Sequence, residues 1–187
     1  MIPTGSFTST PIVTSYAYPD NLPYDPLSQT VNGGLALNDG SLGRTYQFWN
    51  VSYDGTNINV KPVGGAVVLS LTKAGVLSVS LAFDANMQPA IAWTTSAGAF
   101  FYYYDTLAAA FTTVSYSNVS SCRVCVDDPS RYYAGASDVI FGYIRGTTLY
   151  YRQQRDRYAT EYTVGTAHGV LQHLALSTGS RLQLQVL

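Results

Sequence analysis

Charge is scarce in this chain. Asp, Glu, Lys and Arg make up 11% of its 187 residues, under half the usual quarter. Lysine occurs only at Lys61 and Lys73, and glutamate only at Glu161. Ten basic against eleven acidic side chains leave a net charge of -1. That balance argues against a protein held to nucleic acid by counterion release. Long apolar runs are missing as well; none approaches the ~18 residues that cross a bilayer, so no membrane partner is expected. Cysteine is confined to Cys122 and Cys125. Met1-Ile2-Pro3-Thr4-Gly5 has neither the basic nor the apolar part of a secretory leader, so no signal peptide is expected. Two buried thiols in a reducing compartment are the matching expectation. There is no G-x-S-x-G and no Gly-rich phosphate loop, so neither an enzyme nor a cofactor is expected.

What is abundant is apolar and aromatic. The hydrophobic fraction is 47%, which rules out a disordered charged tail. Sixteen Tyr accompany seven Phe and two Trp. Tyr has an apolar body and a polar tip and is enriched where surfaces become covered. It is also a good strand former. Composition therefore leaves two readings open, a surface that a partner covers and a plain β-protein.

Along the chain, residues 1–43 hold five of the eight Pro, with Tyr16, Tyr18 and Tyr24 between them. Pro opposes both helix and central strand. This stretch is predicted to be an extended N-terminal arm that lies on a neighbour. Residues 44–187 are predicted to form one antiparallel β domain. Tyr46 to Ser52, Asp54-Gly55 and Asn57 to Val60 read as a hairpin, because Asp-Gly between β-rich runs fits a tight turn. Ala66 to Leu71, Lys73-Ala74-Gly75 and Val76 to Leu81 read as a second. Leu174 to Leu176, Thr178-Gly179-Ser180 and Leu182 to Leu187 read as a third.

Two segments, about 78–121 and 122–165, share one grammar: strand, Asp-containing loop, strand, Gly turn, aromatic strand, loop, strand. Asp84 matches Asp127, and Gly98 matches Gly146. The spacing is near the ~40 to 50 residues of a propeller blade. The predicted class is all-β, antiparallel hairpins with blade-like repeats, sandwich or propeller-like, plus the arm.

Cys122-x-x-Cys125 with His168 and His173 offers four zinc ligands. In a strand, however, an offset of three puts the two thiols on opposite faces, so no metal is expected. Asp127, Asp128 and Asp138 could form a carboxylate pair for glycan hydrolysis, but Asp is also an ordinary turn residue. Their spacing matches no calcium loop. The sequons at Asn50 and Asn118 read as chance. Arg145, Arg152, Arg155 and Arg157 interleave with Tyr143, Tyr150, Tyr151 and Tyr158. Arg with Tyr is the composition of interaction hot spots. Such a face could also stack on RNA bases, which the net charge makes the weaker version. The predicted contact residues are Tyr143, Arg145, Tyr150, Arg152 and Arg155, with Tyr16, Tyr18 and Tyr24 of the arm. Within Leu149-Tyr150-Tyr151-Arg152, alternation makes Leu149 and Tyr151 the core side and Tyr150 and Arg152 the exposed pair.

The run Ser137 to Arg145, Gly146, Leu149 to Arg152, Gln154 to Tyr158 and Glu161 resembles a repeat of virion structural proteins of tailed bacteriophages. The first unit, with Ile91-Ala92-Trp93 and Phe101 to Tyr104, is similar. The resemblance spans about residues 78–165. It implies a tail, fibre or head–tail component that acts by assembly, located in the virion and assembled in the host cytoplasm. It brings no active site. Partners implied are further copies of the chain and other virion proteins. The alternative is a carbohydrate-binding module of a phage fibre, with a host glycan as partner.

Overall fold

The computed structural model describes residues 33–39, 46–84, 86, 88–126, 139–167, 169–177 and 181–186. The predicted arm, with Tyr16, Tyr18 and Tyr24, lies outside them. The described chain is all-β and antiparallel.

Each sheet is a meander whose strands follow chain order. The first contains β1 (Gly33–Asp39), β2 (Tyr46–Tyr53), β3 (Asn57–Pro62) and β4 (Leu69–Thr72). The second contains β5 (Ser78–Phe83), β6 (Pro89–Thr95), β7 (Gly98–Asp105) and β8 (Ala110–Ser117). The third contains β9 (Val119–Val126), β10 (Val139–Arg145), β11 (Thr148–Gln153) and β12 (Tyr162–Thr166), with a 3₁₀ turn at Gln154–Asp156. The last holds β13 (Leu171–Ser177) and β14 (Arg181–Val186). The two repeat windows read from the sequence fall on the second and third sheets.

The first strands of successive sheets pack in a row, β1 on β5, β5 on β9 and β9 on β13. The second sheet is therefore covered on both faces, as is the third around β9 and β10. This explains why β6 and β10 read as continuous apolar runs and not as alternating ones: Ala90 to Thr94 and Val139 to Ile144 are all buried. Two-sided burial selects for such runs. Toward the first sheet, Val79, Leu81, Phe83, Ile91 and Trp93 meet Val51, Ile58 and Val60. Toward the third, Ala82, Ala90, Ala92, Ala99, Phe101 and Tyr103 meet Val119, Cys122, Val124, Phe141 and Tyr143. Small side chains from β5 and β6 leave room there for the aromatic rings. A buried tie crosses the same seam: the Val124 amide donates to Ser80 Oγ at 3.1 Å.

The first predicted hairpin is present, with β2 and β3 joined through Asp54-Gly55. The Asp54 carboxylate accepts from the amides of Thr56 and Asn57 at 2.9 and 2.7 Å. The third is present as β13 and β14. The second is corrected. Its two strands form, but β4 pairs with β3 while β5 pairs with β6. Lys73-Ala74-Gly75 is a crossover between sheets. Its flanks bond to different partners, Lys73 N to Thr56 O at 2.9 Å and Leu77 N to Thr94 O at 2.8 Å.

Cys122 and Cys125 lie on opposite faces of β9, as alternation requires. Cys122 packs toward the second sheet, and Cys125 packs with Ile140 and Leu174 on the other side. Asp127, Asp128, Asp138 and His168 are outside the described residues.

Candidate interaction surface

The Tyr/Arg segment lies at the outer end of the seam between the second and third sheets. An aromatic stack builds this seam. The Phe101 and Phe141 rings are 4.7 Å apart and 6° from parallel. Tyr116 of β8 leans on Phe141 and Tyr143, and Tyr143 stacks on Tyr150. Offset contacts of this kind add about 0.5 to 1.5 kcal/mol each beyond burial.

Glu161, just before β12, is the hub of the polar end. Its carboxylate accepts from the Tyr143 hydroxyl, from Arg145 at 2.6 Å and from Arg152 at 3.2 Å. Arg152 also donates from Nε to the Tyr143 hydroxyl at 3.0 Å. Its Nη1 donates to the carbonyls of Tyr158 and Ala159 at 2.7 and 2.9 Å. Its guanidinium stands over the Tyr116 ring at 5.3 Å, and that of Arg145 over Tyr150 at 4.6 Å. The planar five-donor fork of Arg allows one side chain to make these bonds together.

The grip of Arg152 has a structural purpose. Arg157 and Tyr158 both adopt left-handed backbone, with φ of 57° and 61°, and such residues persist only where their surroundings over-determine them. Tyr158 is buried with its ring edge-on to Phe101 at 4.7 Å. Arg157 reaches the second sheet, where Nε and Nη2 donate to Asp105 at 3.2 and 2.7 Å. Gln154 reaches it too, donating to Asp84 at 3.1 Å while accepting from the Val139 amide. The loop after β11 thus clamps the two sheets.

The electrostatics follow from this packing. Burial pushes the Tyr143 hydroxyl up to about 12, and its bond to the Glu161 carboxylate adds to the rise. At Glu161 burial works upward, but Tyr143, Arg145 and Arg152 outweigh it and hold the carboxyl below its ordinary value. Burial pushes the Cys122 thiol up to about 12, with Arg123 opposing.

The exposed contact face read from the sequence is therefore corrected. Tyr143 is fully buried, and Tyr150, Arg145 and Arg152 are half-buried. The reason is that, on the side of β11 that alternation leaves facing away from Leu149, Tyr116 of β8 stands against Arg152 and Tyr150 packs into the core shared with the second sheet. Arg155 is exposed on the 3₁₀ turn. Tyr151 is half-buried against Cys125, Ile140 and Leu174, and Tyr162 stacks on it at 4.9 Å. Glu161, Tyr116 and Asp105 were missing from the predicted set. The signal available for Glu161 was its being the sole glutamate, beside the Arg-rich strand.

Exposed apolar side chains lie elsewhere. Edge strand β12 exposes Tyr162 and Val164, and Val170 precedes β13. On the second sheet, Phe111 of β8 is exposed and stacks on Tyr102 at 4.8 Å, only 3° from parallel, with Tyr104 edge-on. Among the described residues no cluster of His, Cys, Asp or Glu could hold a metal ion, and no helix is long and apolar enough to cross a membrane. Compared with known proteins, the chain matches no family model, no curated sequence and no solved structure.

Proposed function

We propose that this chain is a non-enzymatic structural protein that acts by oligomeric assembly, as a tail or head–tail component of a tailed-phage virion. The observation that supports assembly is the stacked row of meander sheets, four-stranded in the first three and two-stranded in the last. Among the described residues, edge strand β12 exposes Tyr162 and Val164. Polar side chains in the described part tie the third sheet to the second, as Arg157 does through Asp105 and Gln154 through Asp84. That is the construction of a stiff module that presents edges to neighbours. The virion assignment itself draws on the repeat resemblance over residues 78–165. Size-exclusion chromatography with light scattering, run over a wide concentration range, tests the assembly reading. A stable oligomer is expected, and a monomer at every concentration overturns it.

One observation favours a second reading, a carbohydrate-binding module. The parallel Tyr102–Phe111 pair, with Phe111 at 40% exposure, offers a flat aromatic platform of the kind sugars stack on. A saccharide that prefers the native state raises its melting temperature by mass action. This reading requires such a shift with a glycan panel and its loss in Phe111→Ala.

A further inference from the structure

Among the described residues, β8 lies at one edge of the second sheet and hydrogen-bonds to β7 alone. An edge strand turns its second row of N–H and C=O groups outward, as a template for another strand. Val114 and Tyr116 anchor β8 in the seam with the third sheet, while Phe111, Thr113, Ser115 and Ser117 on its other side are exposed.

Edges that stay single are commonly short, bulged, covered or guarded by charge, and the other described edges follow that rule. β4 has four residues. β12 has five, and its pairing slips between Leu149 and Tyr150. β5 is buried within the row of sheets. β1, β9, β13 and β14 carry Asp39, Arg123, His173 and Arg181. β8 uses none of these devices. It runs for eight residues, Ala-Phe-Thr-Thr-Val-Ser-Tyr-Ser, without charge or Pro, and its register with β7 is unbroken.

We propose that β8 pairs antiparallel with β8 of a second copy, about a two-fold axis normal to the sheet, joining the two second sheets into one. This names the contact behind the assembly reading and rests on it. Charge and length select the occupant. An isologous contact sets a surface against itself, so any charge on it meets its like, and β8 has none to meet. The Arg157–Asp105 ion pair stands at the Ala110 end of the strand. Antiparallel pairing carries it toward the partner copy's uncharged stretch from 117 to 120 and away from the same ion pair in that copy. Backbone bonds supply the affinity of such a contact, and their number grows with paired length. β8 is the longest uncharged edge as acceptor and equally as donor, so a second β8 bonds to it along more of its length than any other described edge can. One chain holds one β8, so this pairing joins two copies. Registers centred on Thr113 or on Val114 both keep exposed side chains opposite exposed ones, as direct cross-strand partners share a face.

The test uses two variants of the full chain, one with Thr113→Lys and Ser115→Lys, the other with Thr113→Glu and Ser115→Glu. Both positions are exposed, so each variant should keep the wild-type far-ultraviolet spectrum. Alone, each sets like charges across the axis, and light scattering should show association weakened about tenfold or more. Mixed in equal amounts, the two should associate again. That rescue requires β8 to meet β8, because against any other surface a mixed pair gains nothing. An oligomer insensitive to the Lys substitutions overturns this contact, as does a loss that the Glu variant fails to rescue; both leave the assembly reading standing. A wild type that is monomeric at every concentration overturns the assembly reading and this contact with it. Should a variant fail to fold, the chain carrying a benzophenone side chain at position 113 decides. ¹⁴N-labelled and ¹⁵N-labelled protein, mixed and irradiated, should give mixed-isotope adducts to residues 110–117, and adducts that map elsewhere or stay within one isotope overturn the pairing.

Discussion

Tyr143 and Glu161 hold each other in opposite protonation preferences, and the two signs give separate pH windows. The Glu161 carboxyl is lowered from 4.5 in the folded chain. Its contribution to stability is therefore present above 4.5 and disappears as pH falls through the lower folded value. The Tyr143 hydroxyl is raised from 10.0 to about 12. Its contribution is complete below 10 and disappears as pH climbs toward 12. In urea titrations, Glu161→Gln should flatten the acid limb of the stability profile, and Tyr143→Phe should make the alkaline limb shallower. At pH 7, Tyr143→Phe should cost about 1 to 2 kcal/mol, because Glu161 and Arg152 each lose a partner in a half-buried site. The high Cys122 value has a kinetic counterpart, since a buried neutral thiol is a poor nucleophile. Native protein should resist a thiol reagent at pH 8, and unfolded protein should yield two thiols. At this scale the sequence was only half legible. The density of Arg and Tyr marked the right strand, and alternation put Cys122 and Cys125 on opposite faces. That Tyr150 and Arg152 face a neighbouring sheet depends on what packs over β11, which the local pattern does not encode.

At the scale of elements, the two repeats use equivalent turn glycines under unequal constraint. Gly98 has φ +135°, and an added Cβ would collide with the Tyr116 carbonyl oxygen. Gly146 has φ +62°, and its Cβ would meet open space. Gly146→Ala should cost about 1 to 2 kcal/mol, the price of a left-handed residue. Gly98→Ala carries a comparable strain and also drives β7 and β8 apart, so its cost should be larger, roughly 3 kcal/mol. Paired denaturant melts that show equal losses would count against the close approach at Tyr116. The elements themselves were legible because period two and turn residues are local signals. The second predicted hairpin failed for a related reason. Lys73-Ala74-Gly75 announces a change of direction but not which edge the next strand joins, and that choice is made by β3 on one side and β6 on the other.

At the scale of the whole molecule, the abundance of aromatic residues finds its use between sheets. Tyr103, Tyr116, Tyr143, Tyr150 and Tyr158 all line the seam that Phe101 and Phe141 fill. Composition left open a surface that a partner covers and a plain β-protein; for these rings the chain's own next sheet provides the cover. The repeat therefore has an energetic meaning, because neither the second nor the third sheet buries its aromatic face without the other. Phe141 is the test residue, fully buried and stacked on Phe101 across the seam. Phe141→Ala should cost about 3 to 5 kcal/mol through lost transfer energy and the cavity left behind. Its reach matters more than its size. If the seam couples the two sheets, amide hydrogen exchange in the variant should speed up in β6 and β7 as much as in β10, although the substitution lies in β10. Exchange that quickens in β9 to β11 and leaves β6 and β7 at wild-type rates would mean that each sheet is stable on its own, and the seam would then be a contact between finished units.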